Sequence, residues 1–279
     1  MTALNLSNST MTEDSLNPNR SLPAHKRCDV LGVGISAVNI PLAVATIEHW
    51  IATRQQNFVT ITGVHGVMES QSDEKLKQIH NEAGMVTPDG MPMVWMNKLA
   101  GNSHVSRVYG PDFMLAVSDV SAKKGYKHFY YGGKEGVADT LKAKLTEQFP
   151  GLQVVGVYCP PFRPLTPEED AAVCKMIDDS GADIVWVGLS TPKQERWMHS
   201  HLGKHNAPVM VGVGAAFDFH AGLVSQAPKW MQKSGMEWFY RLCTEPKRLW
   251  KRYLKNNPLF IMNVMLQFLH LKDFSQKTK

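Results

Sequence analysis

The sequence predicts an α/β fold: a Rossmann-like, mainly parallel sheet flanked by helices, with a basic amphipathic helical appendage at the C-terminus. Three observations predict it. Short apolar runs rich in β-branched and aromatic residues alternate with helical segments as far as residue 226. Several of these runs lack polar/apolar alternation, as do strands covered on both faces. The last quarter then changes character. From Ala227 to Lys279 eleven Lys and Arg face three acids, a net of +8 that leaves −3 on the preceding residues of a chain totalling +5.

The elements follow in order. Residues 1–27 are rich in Ser, Asn, Thr and Pro without the apolar centre of a signal peptide, and are expected to be a disordered leader. Residues 28–226 are expected to form the α/β catalytic domain, with strands at Asp29–Val33, Phe58–Thr62, His128–Tyr131, Gln153–Val157, Asp183–Gly188 and Val209–Val213. Helix signals separate them. Thr166-Pro167-Glu168-Glu169 supplies an N-cap, a first-turn Pro and a capping-box Glu, and Gly181 stops that helix. Gly110-Pro111 opens another, ending near Gly125. Residues 227–279 read as two or three helices, with Pro228 and Pro246 at helix starts and Pro258 beginning the last apolar segment. On the helix after Pro246, Lys247, Lys251 and Lys255 form one stripe and Arg248 and Arg252 its neighbour.

Composition bounds the function. Hydrophobic and charged fractions of 43% and 20% describe a globular chain. The four cysteines show no metal-ligand spacing and read as buried thiols of a reducing cytoplasm. The longest apolar segment, Leu259 to Leu271, is about 13 residues against the roughly 20 that span a bilayer. Cations interleaved with Trp, Phe, Leu and Met suit an anionic lipid surface better than nucleic acid. A peripheral protein on the inner face of the cytoplasmic membrane is expected, with no nucleic-acid partner.

In a parallel sheet, ligands sit beyond the carboxyl ends of the strands, so the loops there are the candidates for chemistry. Gly132 and Gly133, in Tyr131-Gly132-Gly133-Lys134-Glu135-Gly136, either admit a phosphate to backbone N–H groups or merely form a tight strand-to-helix turn. Thr191 and Gln194, in Ser190-Thr191-Pro192-Lys193-Gln194-Glu195, are a capping box, a ligand loop or both, with Lys193 beside them. Asp89, in Thr87-Pro88-Asp89-Gly90, is a helix cap or a general base. Arg107 could bind phosphate bidentately, or be a solvated cation. Asp218 and His220 end the glycine- and alanine-rich run from Gly212. His65 reads as structural. The sequence contains no H-E-x-x-H, Cys/His cluster or D-x-D, so no metal or cofactor is expected, and cationic side chains and helix N-termini would have to neutralise a diphosphate. A nicotinamide oxidoreductase or a nucleotide-binding regulator on a Rossmann-like domain is the alternative, but no G-x-G-x-x-G opens the first strand and no acidic ribose ligand follows it.

Together these loops resemble the WecG/TagA/CpsF glycosyltransferases (glycosyltransferase family 26). The resemblance runs from about Cys28 to about Leu254. It is carried by Thr-Pro-Asp-Gly at 87–90 with Val94-Trp95, by Arg107 with Tyr109-Gly110-Pro111-Asp112, and by Thr191 to Glu195. Gly212 to Asp218, Ala227-Pro228, Glu237 to Leu242 and Glu245 to Arg248 continue it. It implies inverting, metal-independent transfer of a hexose, N-acetylmannosamine or a related sugar, from a UDP-linked donor to an undecaprenyl-diphosphate-linked saccharide in cell-surface polysaccharide synthesis. Asp89 matches the family's proposed general base, and Thr60 falls near its active-site Thr, with Thr62 the alternative on the same strand. Arg107 and Gln194 match its other pocket residues. Arg241 and Arg248, with Lys251 or Arg252, match the basic appendage that closes the site and reaches the lipid diphosphate, in the same subunit or a neighbouring one. One departure stands out: the family often has Asn two residues after its Thr, where this strand reads Thr60-Ile61-Thr62-Gly63.

Overall fold

The computed structural model describes residues 25–275, so all but the end of the expected leader lies outside the described residues. In chain order the elements are β1 (Arg27–Val30), β2 (Val33–Ser36), α1 (Ile40–Thr53), β3 (Asn57–Thr62), α2 (Val64–Glu69), α3 (Glu74–Glu82) and β4 (Met85–Pro88). Next come α4 (Met91–Leu99), α5 (Gly110–Lys124), β5 (Lys127–Gly132), α6 (Val137–Gln148), β6 (Gln153–Tyr158), α7 (Pro167–Ser180) and β7 (Ile184–Gly188). The chain continues through α8 (Lys193–His201), β8 (Val209–Gly212), α9 (Ala216–His220), α10 (Lys229–Lys233), α11 (Glu237–Thr244) and α12 (Pro246–Phe268).

Six strands form one parallel sheet in the order β4-β3-β8-β7-β5-β6, with helices on both faces. Period-two geometry divides each strand between two cores. Ile184 and Trp186 of β7 join the cluster under α1, α5, α6 and α9, whereas Val185 and Val187 join the one under α3, α7 and α8. Both faces being covered explains why these strands read as unbroken apolar runs. The capping box at Thr166 and Glu169 forms as predicted, and Gly181 and Gly125 cap their helices at φ 62° and 76°.

The structure corrects three sequence expectations. The run Asp29–Val33 is not a strand of the main sheet. Leu31 and Gly32 both take positive φ (54° and 80°), the geometry of a tight hairpin turn, and split it into the antiparallel β1–β2 pair. Met85–Pro88, placed among the loops by the sequence, is the edge strand β4, where a proline's missing N–H is tolerated. Pro258 does not start a helix but lies inside the 23-residue α12. Buried Leu249 and Asn256 before it and Phe260 and Asn263 after it anchor the helix on both sides of the lost hydrogen bond. Among the described residues no helix is long and apolar enough to cross a membrane.

Candidate active site

A cavity of about 770 Å³ opens at the carboxyl ends of β3, β4, β7 and β8 and is roofed by α10, α11 and the first half of α12. The crevice rule for parallel sheets places it there. Close approach of backbone builds its floor. A side chain at Gly63 would meet the Asp89 carbonyl at 2.8 Å, and one at Gly212 would meet Met198 at 2.7 Å and the Gln194 amide at 3.1 Å.

Asp89 lines the cavity. It is not a helix cap: Gly90 occupies that position at φ 83°, without any side-chain capping bond. The Asp89 amide instead donates to the Thr62 carbonyl at 3.0 Å, which fixes the residue at the exit of the sheet. Its carboxylate lies 3.5 Å from Arg107 Nη2, and Glu237 of α11 binds the same nitrogen at 2.5 Å. Arg107 also stacks on the Tyr109 ring, 4.0 Å from its centroid. Burial alone would lower the Arg107 pKa, but Asp89 and Glu237 outweigh it and raise it. Burial first, then the Glu237 and Asp89 charges, hold the Tyr109 phenol far above its ordinary range.

Arg241, Arg248 and Arg252 enter from the appendage. Glu245 lies 3.7 Å from Arg241 and 2.5 Å from Arg248. Arg252 is pushed down, first by burial and further by Arg241 and Arg248. The Nε atoms of Arg107, Arg241 and Arg252 and the Tyr109 hydroxyl are all buried without a hydrogen-bond partner among the described residues. Unpaired buried donors of this kind are stabilised by an anionic ligand. Met91, Gly110 and Gln194, in the first turns of α4, α5 and α8, also line the cavity, adding the positive ends of three helix dipoles.

Thr191 and Gln194 line the cavity, but not as a capping box. The helix starts at Lys193, so Gln194 is its second residue and not its third. The Thr191 hydroxyl and the Gln194 amide both donate to Glu195 Oε1, at 2.9 and 3.1 Å. Burial raises the pKa of this carboxyl, which lines the same wall.

Six expected residues lie outside the cavity lining. Thr60 is fully buried: its hydroxyl meets His80 Nδ1 at 3.1 Å and accepts a bond from Thr62 at 3.3 Å. Both threonines point to one face of β3, and Thr62, nearer the strand's carboxyl end, is the one that reaches the cavity. Gly132 and Gly133 form a packing turn. A side chain at Gly132 would strike the Gly188 backbone at 2.8 Å, and the Gly133 amide donates to the Gly188 carbonyl. Lys193 lies over the exposed Phe162 ring, at 5.0 Å. Asp218 is a helical step off the Ala215, Ala216 and Phe219 face that lines the cavity. Lys251 is exposed beside Trp250, because Arg248 and Arg252, four apart, take the cavity side of α12.

Sequence reasoning also missed residues. Glu237 is one of only three acids in the basic tail, which was its one visible signal. His65, read as structural, lines the cavity and meets Asn256 at 3.3 Å. Burial and the Arg252 charge lower its pKa to about 3, so it is neutral. Outside the cavity lining, the fold gathers Asp170, Cys174 and His201 with ligand atoms within 4.8 Å of one another, a group that no local spacing reveals. Asp170 is already engaged there by His201 at 2.8 Å and Lys204 at 3.1 Å.

The family model for the glycosyl transferase WecG/TagA/CpsF family matches residues 28–273. The chain belongs to this family of glycosyltransferases. Among curated WecG/TagA/CpsF relatives, the N-acetylglucosaminyldiphosphoundecaprenol N-acetyl-beta-D-mannosaminyltransferase of Bacillus subtilis (strain 168) is 31% identical over 230 residues, 82% of this chain and 87% of the relative. The protein of the same name from Bacillus spizizenii is 31% identical over 187 residues, 67% and 70% of the two chains.

Proposed function

We propose that the enzyme transfers an N-acetylmannosamine-type hexose from a UDP-linked donor to a saccharide on undecaprenyl diphosphate, with inversion and without a metal ion, in cell-surface polysaccharide synthesis. The observation that carries this reading is Asp89: a carboxylate free of capping duty, at the exit of the sheet, among cations. The names of the two Bacillus relatives supply the sugar and the acceptor. Asp89 takes the proton of the acceptor hydroxyl as that oxygen attacks the anomeric carbon, a contribution of roughly 10²- to 10⁴-fold. UDP leaves on the opposite face. Arg107 and the helix N-termini stabilise its charge, the role that a metal ion and D-x-D motif play elsewhere, while the appendage arginines reach the lipid diphosphate of the acceptor.

Asp89→Asn keeps the shape and removes the base. Turnover of a UDP-hexosamine with a lipid-diphosphate sugar acceptor, assayed in EDTA, is expected to fall at least about 100-fold in the variant with Tm unchanged. Near-wild-type turnover removes Asp89 from the role of base, and strict dependence of the wild type on added divalent ion removes the metal-free mechanism. The appendage also suits an anionic membrane surface. Lys247, Lys251, Trp250 and Leu254 are exposed together on α12, cations beside apolar groups.

A further inference from the structure

The cavity is not polar throughout. Arg241 and Arg252 line it near the catalytic floor, while Trp95, Leu99, Ile261, Met265 and Phe268 line it elsewhere. These five side chains are between 49% and 72% exposed. At ~1.5 Å rise per residue, Met265 lies ~20 Å along α12 from Arg252.

The second half of α12 carries apolar residues on both its buried and its exposed side. An ordinary surface helix buries its apolar stripe and exposes its polar one. Here Asn256 and Asn263 are buried, and Gln267 Oε1 accepts from the Leu31 amide at 3.1 Å. Phe260, with Leu259, Val264 and Leu266, packs on the core beside these amides, and Ile261, Met265 and Phe268 are left facing the open cavity.

We propose that this apolar limb, between Leu99 and Trp95 of α4 and Met265 and Phe268 of α12, holds the first isoprene units of the acceptor, and that these side chains set the prenyl length the enzyme prefers. The proposal rests on the acceptor reading above. One cavity that is cationic at one end and apolar at the other matches an amphiphile with a diphosphate head and a hydrocarbon tail. The head is drawn to the unpaired arginine donors, and the chain leaving it runs along α12. Methionine suits such a wall, because an unbranched thioether adapts to a flexible chain.

The test is calorimetric titration of the full chain, without vesicles, using geranyl and geranylgeranyl diphosphate below their micelle concentrations. The longer chain is expected to bind at least about tenfold more tightly. The double variant Leu99→Asn, Met265→Asn is expected to bring the two affinities within about twofold. Both residues are exposed, so folding should survive, and Phe268→Asn is the alternative variant if it does not. Equal wild-type affinities, or a ratio that the variants leave untouched, overturn the proposal. So does a sedimentation mass that halves in the variants, since a second copy then covers this face. Because the readout is binding, the two readings fail separately. Prenyl-length discrimination without sugar transfer keeps the groove and removes the transferase substrate assignment, whereas transfer without length discrimination does the reverse.

Discussion

At the scale of single residues, Glu237 carries the least expected chemistry. It holds the guanidinium of Arg107 from the appendage side, where a donor phosphate would otherwise bind. Glu237→Gln removes that competing charge and is expected to tighten UDP binding about three- to tenfold by calorimetry. Weaker binding would show instead that Glu237 helps hold the nucleotide. Buried imidazoles make a second prediction. Trp186 donates to His128 Nδ1 at 3.1 Å, and burial lowers the His128 pKa to about 3 and that of His80 to about 4, from an ordinary 6.5. Both are neutral in the fold and take up protons first in the unfolded chain. Their contribution is therefore complete above pH 6.5 and declines as pH falls toward 4 and 3. At pH 5.5 each is expected to have lost on the order of 1 kcal/mol relative to pH 7.5. Urea unfolding at the two pH values measures it, and a flat profile would refute it.

Elements explain which sequence signals were readable. Asp89 was legible as a residue, but Thr-Pro-Asp-Gly alone left cap and base open. The cap reading was removed by Gly90, which takes that position at positive φ. The capping box at Thr166 was fully legible because all its partners lie within four residues. Thr191 has the same pattern but not the same role, since its hydroxyl turns to the buried Glu195. The Gly132-Gly133 loop shows the limit most clearly. Glycine is required there by the neighbouring β7 backbone, a contact across some fifty residues of chain. Gly132→Ala, at φ 114° and against Gly188, is expected to destabilise the protein by about 2–4 kcal/mol. UDP affinity of the folded fraction should not change. A selective loss of UDP binding at unchanged Tm would return this loop to the site.

For the whole molecule, the appendage divides its charge between two tasks. Arg241, Arg248 and Arg252 turn into the cavity, whereas Lys247, Lys251 and Lys255 stay in solvent. The second set forms the exposed cationic stripe of α12 beside Trp250 and Leu254. Lys247→Glu with Lys251→Glu is expected to weaken sedimentation with anionic vesicles at least about tenfold, at roughly 1 kcal/mol per basic residue. Unchanged sedimentation would remove α12 from the membrane contact.

The sequence by itself determined the α/β class, the strand ends as the place where a cavity opens with Asp89 and Arg107 in its lining, and the basic appendage. Each depends on periodicity, on local capping or on charge composition, which are properties of neighbours along the chain. Tertiary structure alone decided that Thr62 and not Thr60 reaches the cavity, that Glu237 shares Arg107 with Asp89, and that α12 turns its amides inward and its methionines outward. Those outcomes are set by contacts between segments far apart in sequence, where burial and charge pairing are fixed only once the sheet, the helices and the appendage have closed on one another.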